Sequence, residues 1–311
     1  MTAATGSAPA ATATVPPGEA RAPALAFPAL IAANAALAAG PLFVRLSDVG
    51  PVSAGFWRLA IALPVLALLA VKDLRASPPS RGLVALAALA GVFFALDLAS
   101  WHAGILLTKM AHATLFGNAA SPILAVTTLV VARRWATPIE SVAIALTLVG
   151  AYMLMRDSGQ EGPNVLLGDL LCVLAGVLYA AYVLAMQRAR GGLAPFPTLA
   201  IATAAGLLPL LAIATLLGEQ IVPTVWWPVI ALAVSSQLIG QGLMVYALPH
   251  FSALVVGLSL LTQPAVASVI GWWVYHEQLS PIEMFGGVLV AAGLVLIRLP
   301  SRRASAEQAE G

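Results

Sequence analysis

Two stretches, "TPIESVAIALTLVGAYMLM" at 137–155 and "SPIEMFGGVLVAAGLVLI" at 280–297, decide how this chain is to be read. Each opens on a hydroxyl residue, continues Pro-Ile-Glu, and then runs on as almost pure hydrocarbon. Pro138 and Pro281 are 143 positions apart, and so are Gly150 and Gly293. Two more pairings follow in the same order. "ALPVLALLA" (62–70) resembles "LLPLLAIAT" (207–215), with Pro64 and Pro209 offset by 145. "NAASPILAV" (118–126) resembles "SLLTQPAVAS" (259–268), with Pro122 and Pro264 offset by 142. Proline pairs recurring in order at one spacing are the mark of an internal repeat.

The repeated unit is a membrane unit. Of 311 residues, 60% are hydrophobic and only 9% charged, with a mean hydropathy of +0.95. A soluble domain carries about 25% charge, and this chain lacks the polar side chains to cover a water-facing surface. Runs of about 20 apolar residues, the length that crosses a bilayer as a helix, recur throughout. They do not alternate polar with apolar, which excludes a transmembrane barrel. The expected class is an all-α membrane protein of ten transmembrane helices, at 24–46, 51–71, 82–106, 110–131, 138–155, 165–187, 195–217, 226–248, 251–274 and 281–299. Residues 1–23, rich in Ala, Pro and Thr, are expected to be a disordered tail, and 300–311 a cytoplasmic tail. Residues 24–155 and 165–299 form the two five-helix repeats. Five is odd, so the second repeat enters the membrane from the opposite face. Two inverted repeats with a midplane site between them are the plan of many secondary transporters.

Basic residues set the orientation. With the N-terminus inside, the inner segments hold Arg21, Lys72, Arg75, Arg81, Arg133, Arg134, Arg188, Arg190, Arg298, Arg302 and Arg303. The outer connections hold only Arg45, Lys109 and Arg156. Both termini are therefore expected in the cytoplasm.

The exclusions are as useful. A net charge of +2 is too small to argue for nucleic acid, and the single Cys172 permits no intrachain disulfide. No G-x-x-x-x-G-K-[ST] is present for ATP-driven transport, no G-x-S-x-G for a hydrolase. "HEQLS" (276–280) lacks the second histidine of H-E-x-x-H. No catalytic residue, metal site or cofactor is expected.

The polar residues inside the spans carry the functional reading. "GFWRLAIALPVLALLAV" (55–71) contains Arg58, about seven residues or roughly 10 Å from the outer end of its helix. Asp97 in the third span sits at a similar depth. Buried charge is costly unless paired, so the two are expected to form an ion pair or share one polar network, either pinning spans two and three or serving coupling or substrate contact. Asp97 and Trp101 share a helix face at i,i+4, as do Gln237 and Gln241 on the equivalent span eight. Tyr179 and Tyr182 lie on span six, Asn34 on span one, Asn118 and Ser121 on span four, and Gln263 at the matching place on span nine. Amides and hydroxyls suit a zwitterion, and aromatic faces suit an apolar or cationic group. The substrate-cavity set is thus Asn34, Trp101, Asn118, Ser121, Tyr179, Tyr182, Gln237, Gln241 and Gln263; the same residues also suit helix–helix hydrogen bonding. Pro64, Pro122, Pro209 and Pro264 are expected kink positions. His102 and His112 are expected near the outer surface, exposed, and Trp226, Trp227, Trp272 and Trp273 at the interfaces.

With Arg58, "LLGDLLCVLAGVLYAAYVL" (166–184), Pro122, Pro264 and "YHEQLSPIEMFGGVLVAAGLVLI" (275–297) on the page, the chain resembles the drug/metabolite transporter superfamily, in particular its EamA-type ten-helix exporters. Within that superfamily it is most similar to bacterial exporters of amino acids, aromatic ones included. The resemblance covers about 24–299. It implies a monomeric, ATP-independent, multi-pass carrier of the bacterial inner membrane, moving a small-molecule substrate outward through a cavity lined by spans 1, 3, 4, 6, 8 and 9. Efflux of hydrophobic cationic drugs is the alternative within the class, and an intramembrane enzyme or a receptor the alternatives outside it.

Overall fold

The computed structural model describes residues 23–107, 120–131, 133, 135–155, 165–263, 265–266, 269, 273 and 281–296. Asn118, Pro264 and His112 lie outside the described residues, as do the tails beyond Pro23 and Leu296.

Every regular element among the described residues is helical. In chain order they are α1 (Ala26–Ala38), α2 (Gly40–Leu46), α3 (Pro51–Ala76), α4 (Arg81–Leu107), α5 (Ala120–Val131), α6 (Pro138–Met155), α7 (Val165–Arg190), α8 (Pro195–Leu216) and α9 (Trp227–Leu232). A π-helical stretch, Ala233–Gln241, joins α9 to α10 (Gly242–Ala247), which a 3-10 turn, Leu248–His250, follows; α11 (Ala253–Leu260) and α12 (Pro281–Leu296) complete the set among the described residues. Six segments are long and apolar enough to cross a membrane: Ala26–Leu46, Pro51–Ala76, Arg81–Gly104, Leu166–Arg190, Pro195–Leu216 and Trp227–His250. They fall on expected spans one, two, three, six, seven and eight. Shorter apolar helices at Ala120–Val131, Pro138–Gly150 and Met284–Gly293 fall on the fourth, fifth and tenth. Pro64 and Pro209 are carried inside unbroken helices α3 and α8.

Helix pairing follows small residues. Lipid tails give helices no hydrophobic reason to associate, so close backbone packing must do it. The extreme case is the crossing of α4 on α8. A Cβ built on Gly91 would stand 2.0 Å from the Ala202 carbonyl oxygen, and one on Gly206 would stand 3.1 Å from the Gly91 oxygen. Leu59, Phe94, Ala95 and Leu210 fill the buried space beside that contact. Further pairings join α4 to α7, α3 to α8, α5 to α11, α6 to α12, and α1 to the π stretch and α10.

At one end of the bundle two loops exchange caps. The Glu219 carboxylate, after α8, accepts from the amides of Val52 (3.2 Å) and Ser53 (2.7 Å) and from the Ser53 hydroxyl (2.9 Å), occupying the N-terminus of α3. In return Asp48, before α3, accepts from the Thr224 hydroxyl and amide and from the Val225 amide. Trp57 Nε1 donates to the Ile221 carbonyl at 2.6 Å and stacks edge-on against Trp226. The Thr224 hydroxyl, and next its amide, hold the Asp48 carboxyl below its ordinary value of 3.8, against a smaller opposing effect of burial. A depressed acid contributes stability that is whole above 3.8 and lost as pH falls through the folded-state value. Asp48→Asn, which mimics the protonated acid, should therefore lower the melting temperature at pH 7 and flatten its fall in acid, so that the two proteins converge below that pH. Equal acid slopes in both proteins would show that Asp48 plays no such part.

Candidate substrate site

The largest buried polar group lies where α3, α4, α7, α8 and the π stretch meet. Arg58 is 7% exposed in the third turn of α3. A guanidinium donates and never accepts, which fixes its partners' roles. Arg58 Nε donates to Gln237 Oε1 at 3.1 Å, Nη2 donates to the Ser236 carbonyl at 3.4 Å, and the Phe94 ring lies 5.2 Å from Cζ in cation–π range. With its oxygen so occupied, the Gln237 amide turns its nitrogen to Thr203 Oγ1 at 2.9 Å. One glutamine thereby ties α3 to α8. Both Ser236 and Gln237 belong to the π-helical stretch, a rare register that recurs at functional sites.

Phe94 carries the network on to α7. Its ring stacks on Tyr182 at 4.7 Å and lies 6.4 Å from Tyr179. The fully buried Tyr182 hydroxyl donates to Gln241 Oε1 at 2.7 Å, leaving Gln241 Nε2 without a partner among the described residues. The buried Tyr179 hydroxyl has no hydrogen-bond partner among the described residues. Gln237 and Gln241 thus serve different neighbours, α3 with α8 and α7 respectively, where i,i+4 spacing predicts one shared α-helical face.

The expected Arg58–Asp97 ion pair is not made. Arg58 spends its bonds on Gln237 and the Ser236 carbonyl, and its nitrogens stay beyond the 4.0 Å of an ion pair with Asp97. Asp97, 9% exposed on α4, nevertheless lies within the electrostatic reach of Arg58, Tyr179 and Tyr182. What keeps the pair from forming is that Arg58 is engaged by Gln237 and the Ser236 carbonyl on the π stretch.

Asn34 and Gln263 belong to a second group. Asn34 Nδ2 donates to the Leu30 carbonyl (2.8 Å) and to Ser259 Oγ (3.1 Å), and Asn34 Oδ1 accepts from Gln263 Nε2 at 2.9 Å. These bonds join span one to span nine and leave the asparagine satisfied, as packing glue requires. Ser121 is buried on α5 with its hydroxyl unpartnered, and its carbonyl oxygen would lie 2.9 Å from a Cβ on Gly257. Trp101 packs beside His102, ring centroids 5.2 Å apart, away from both groups' hydrogen bonds. His102 is not exposed as expected: it is 3% exposed and bonds through Nδ1 to the Pro51 carbonyl at 2.7 Å. A carbonyl only accepts, so Nδ1 carries the proton. Trp226 and Trp227 are exposed, as interfacial tryptophans are.

Phe94 and Thr203 escaped the sequence reading as site residues. Phe94 gives no signal inside an apolar run. Thr203 did give one, because it occupies the repeat position of Arg58.

Long apolar helices around a buried polar centre define a helical protein of membrane type. Residues 166–299 match the EamA-like transporter family. It is 30% identical over 164 residues to the threonine/homoserine exporter RhtA of Escherichia coli K12, a match covering 50% of this chain. The chain spans about half the length of that exporter, 54%. An uncharacterized transporter of Archaeoglobus fulgidus is 24% identical over 82% of this chain and 89% of its own. A solved crystal structure at 16% identity superposes with a TM-score of 0.71, over 89% of this chain and 98% of the other, which speaks for the fold alone.

Proposed function

We propose that the chain is a ten-helix secondary carrier, two inverted five-helix repeats in the bacterial inner membrane with both termini cytoplasmic. It exports amino acids, aromatic and apolar ones included, by alternating access through a cavity between the repeats. The observation that carries this reading is the Arg58–Gln237–Thr203 bridge. It sets buried polar side chains suited to binding across helices of both halves. The name of the Escherichia coli relative supports the substrate class.

Contacts between the halves support the inversion. A Cβ on Gly150 would meet the Gly286 oxygen at 2.5 Å, and a Cβ on Gly293 would meet the Ala143 oxygen at 2.9 Å. Adding 143 to 150 and to 143 gives 293 and 286, so each contact is the other with the halves exchanged. The pairings of α3 with α8, α5 with α11 and α6 with α12 also survive that exchange.

The test is flux in liposomes holding the purified chain. Labelled threonine and phenylalanine should move saturably, be inhibited by their unlabelled forms, and show whether a pH gradient drives them. No movement of any amino acid would end the amino-acid reading. Efflux of hydrophobic cations is the second reading, favoured by one observation: Asp97 is not held in a direct ion pair. Movement of tetraphenylphosphonium without that of amino acids would establish it.

A further inference from the structure

The central group is satisfied only in part, and what it leaves over has a pattern. Arg58 keeps its second terminal nitrogen, Nη1, without a hydrogen-bond partner among the described residues, and Asp97 keeps its carboxylate. Both side chains are more than nine-tenths buried, at 7% and 9% exposure. Neither free end is sealed off as the buried, unpartnered Gln241 Nε2 and Tyr179 hydroxyl are. Of these four groups two are donors, the Arg58 nitrogen and the Gln241 amide nitrogen. The other two, the Asp97 carboxylate and the Tyr179 oxygen, can accept. A guanidinium and a carboxyl group buried in one helical bundle without touching each other form a costly arrangement. A ligand that brings the opposite charge to each relieves it.

We propose that Arg58 and Asp97 are the two poles of a zwitterion site. Arg58 receives the α-carboxylate and Asp97 the α-ammonium; Phe94, against the guanidinium, forms an aromatic wall of the site. Gln237 is the positioning residue, holding the guanidinium by Nε so that Nη1 stays available. The assignment rests on the amino-acid reading above and sharpens it. It chooses, among pinning, coupling and substrate contact, the last, and makes the two charges the groups that tell an α-amino acid from an amine or a carboxylic acid. A hydrophobic cation would satisfy Asp97 and leave Arg58 unmet, so the same geometry selects against drugs of that kind.

The experiment uses the full chain in liposomes and two sets of competitors against labelled flux. One set is L-threonine, L-threoninamide and 3-hydroxybutyrate; the other is L-phenylalanine, L-phenylalaninamide and 3-phenylpropionate. In the wild type the intact amino acid should compete about tenfold or more better than either analogue, the scale on which one charged contact is read. Asp97→Asn should weaken the amino acid and the amide by a similar factor and leave the desamino acid unchanged. Arg58→Lys should do the reverse, weakening the amino acid and the desamino acid only. The wild-type comparison stands even where a variant fails to fold. Analogues that compete as well as the parent, or an Asp97→Asn change that weakens all three compounds equally, would overturn the assignment while leaving amino-acid transport intact. Failure of both intact amino acids in the wild type would instead bring down the substrate class, and the two poles with it.

Discussion

Gly91→Ala is expected to destabilise the protein by about 1–3 kcal/mol, the range for forcing extra methyl volume into a packed interior. Helix propensity alone predicts the opposite sign, since alanine is favoured over glycine by about 1 kcal/mol in a helix. The structure decides between them. The new methyl carbon would sit 2.0 Å from the Ala202 carbonyl oxygen, and backbone cannot swing aside as a side chain does. Either α4 and α8 separate along the crossing, or the Gly206 contact with the Gly91 oxygen, on the same seam, is lost as well. The control is Gly82→Ala on the same helix, where nothing lies within 4 Å of the added carbon. Melting in detergent should show a clear loss for Gly91→Ala and none for Gly82→Ala. An unshifted Gly91→Ala melt would mean that the two helices do not touch as described.

Much of this fold was legible because a bilayer makes composition decisive. Length and hydropathy locate the membrane-crossing helices α3, α4, α7 and α8 to within a turn or so. The miss at α3 is instructive. Its apolar run ends at Val71, yet the helix continues through Lys72, Asp73 and Arg75 to Ala76. Hydropathy records where a helix leaves the hydrocarbon, whereas the helix itself stops at Ser77-Pro78-Pro79, where proline constrains the backbone before it. The site was legible as a set of buried polar residues but not in who partners whom. Counting residues predicts a pair of Arg58 with Asp97, while Arg58 is engaged by Gln237 and the Ser236 carbonyl instead, and no local pattern encodes that. The π register of Ala233–Gln241 is a second such case: "AVSSQLIGQ" has no residue that demands it, and it separates the partners of Gln237 from those of Gln241. His102 was misplaced for a related reason. Its position near a helix end predicts exposure, but the start of α3 lies over it, with the Pro51 carbonyl as partner and Gly55 leaving room beside the ring.

Gln237 is where stability and transport should come apart. Gln237→Leu removes the acceptor for Arg58 Nε and the donor to Thr203 together, leaving a buried cation with only the longer bond to the Ser236 carbonyl. Hydrogen bonds to charged groups are worth about 1.5–3 kcal/mol, so a loss of roughly 2 kcal/mol in stability and at least about tenfold in transport is expected. Thr203→Val deletes only the neutral bond and should cost about 0.6 kcal/mol, the average for such bonds between membrane helices. Gln237→Glu separates the two roles. Its carboxylate still accepts from Arg58, and the Thr203 hydroxyl can turn to donate to it, so the protein should melt near the wild-type temperature. The new negative charge, however, neutralises the guanidinium that is to receive the substrate carboxylate. Transport should fall at least as far as in Gln237→Leu, with the amino acid and the desamino acid affected and the amide spared. A folded Gln237→Glu protein that carries amino acids at the wild-type rate would show that Arg58 serves the fold and not the substrate.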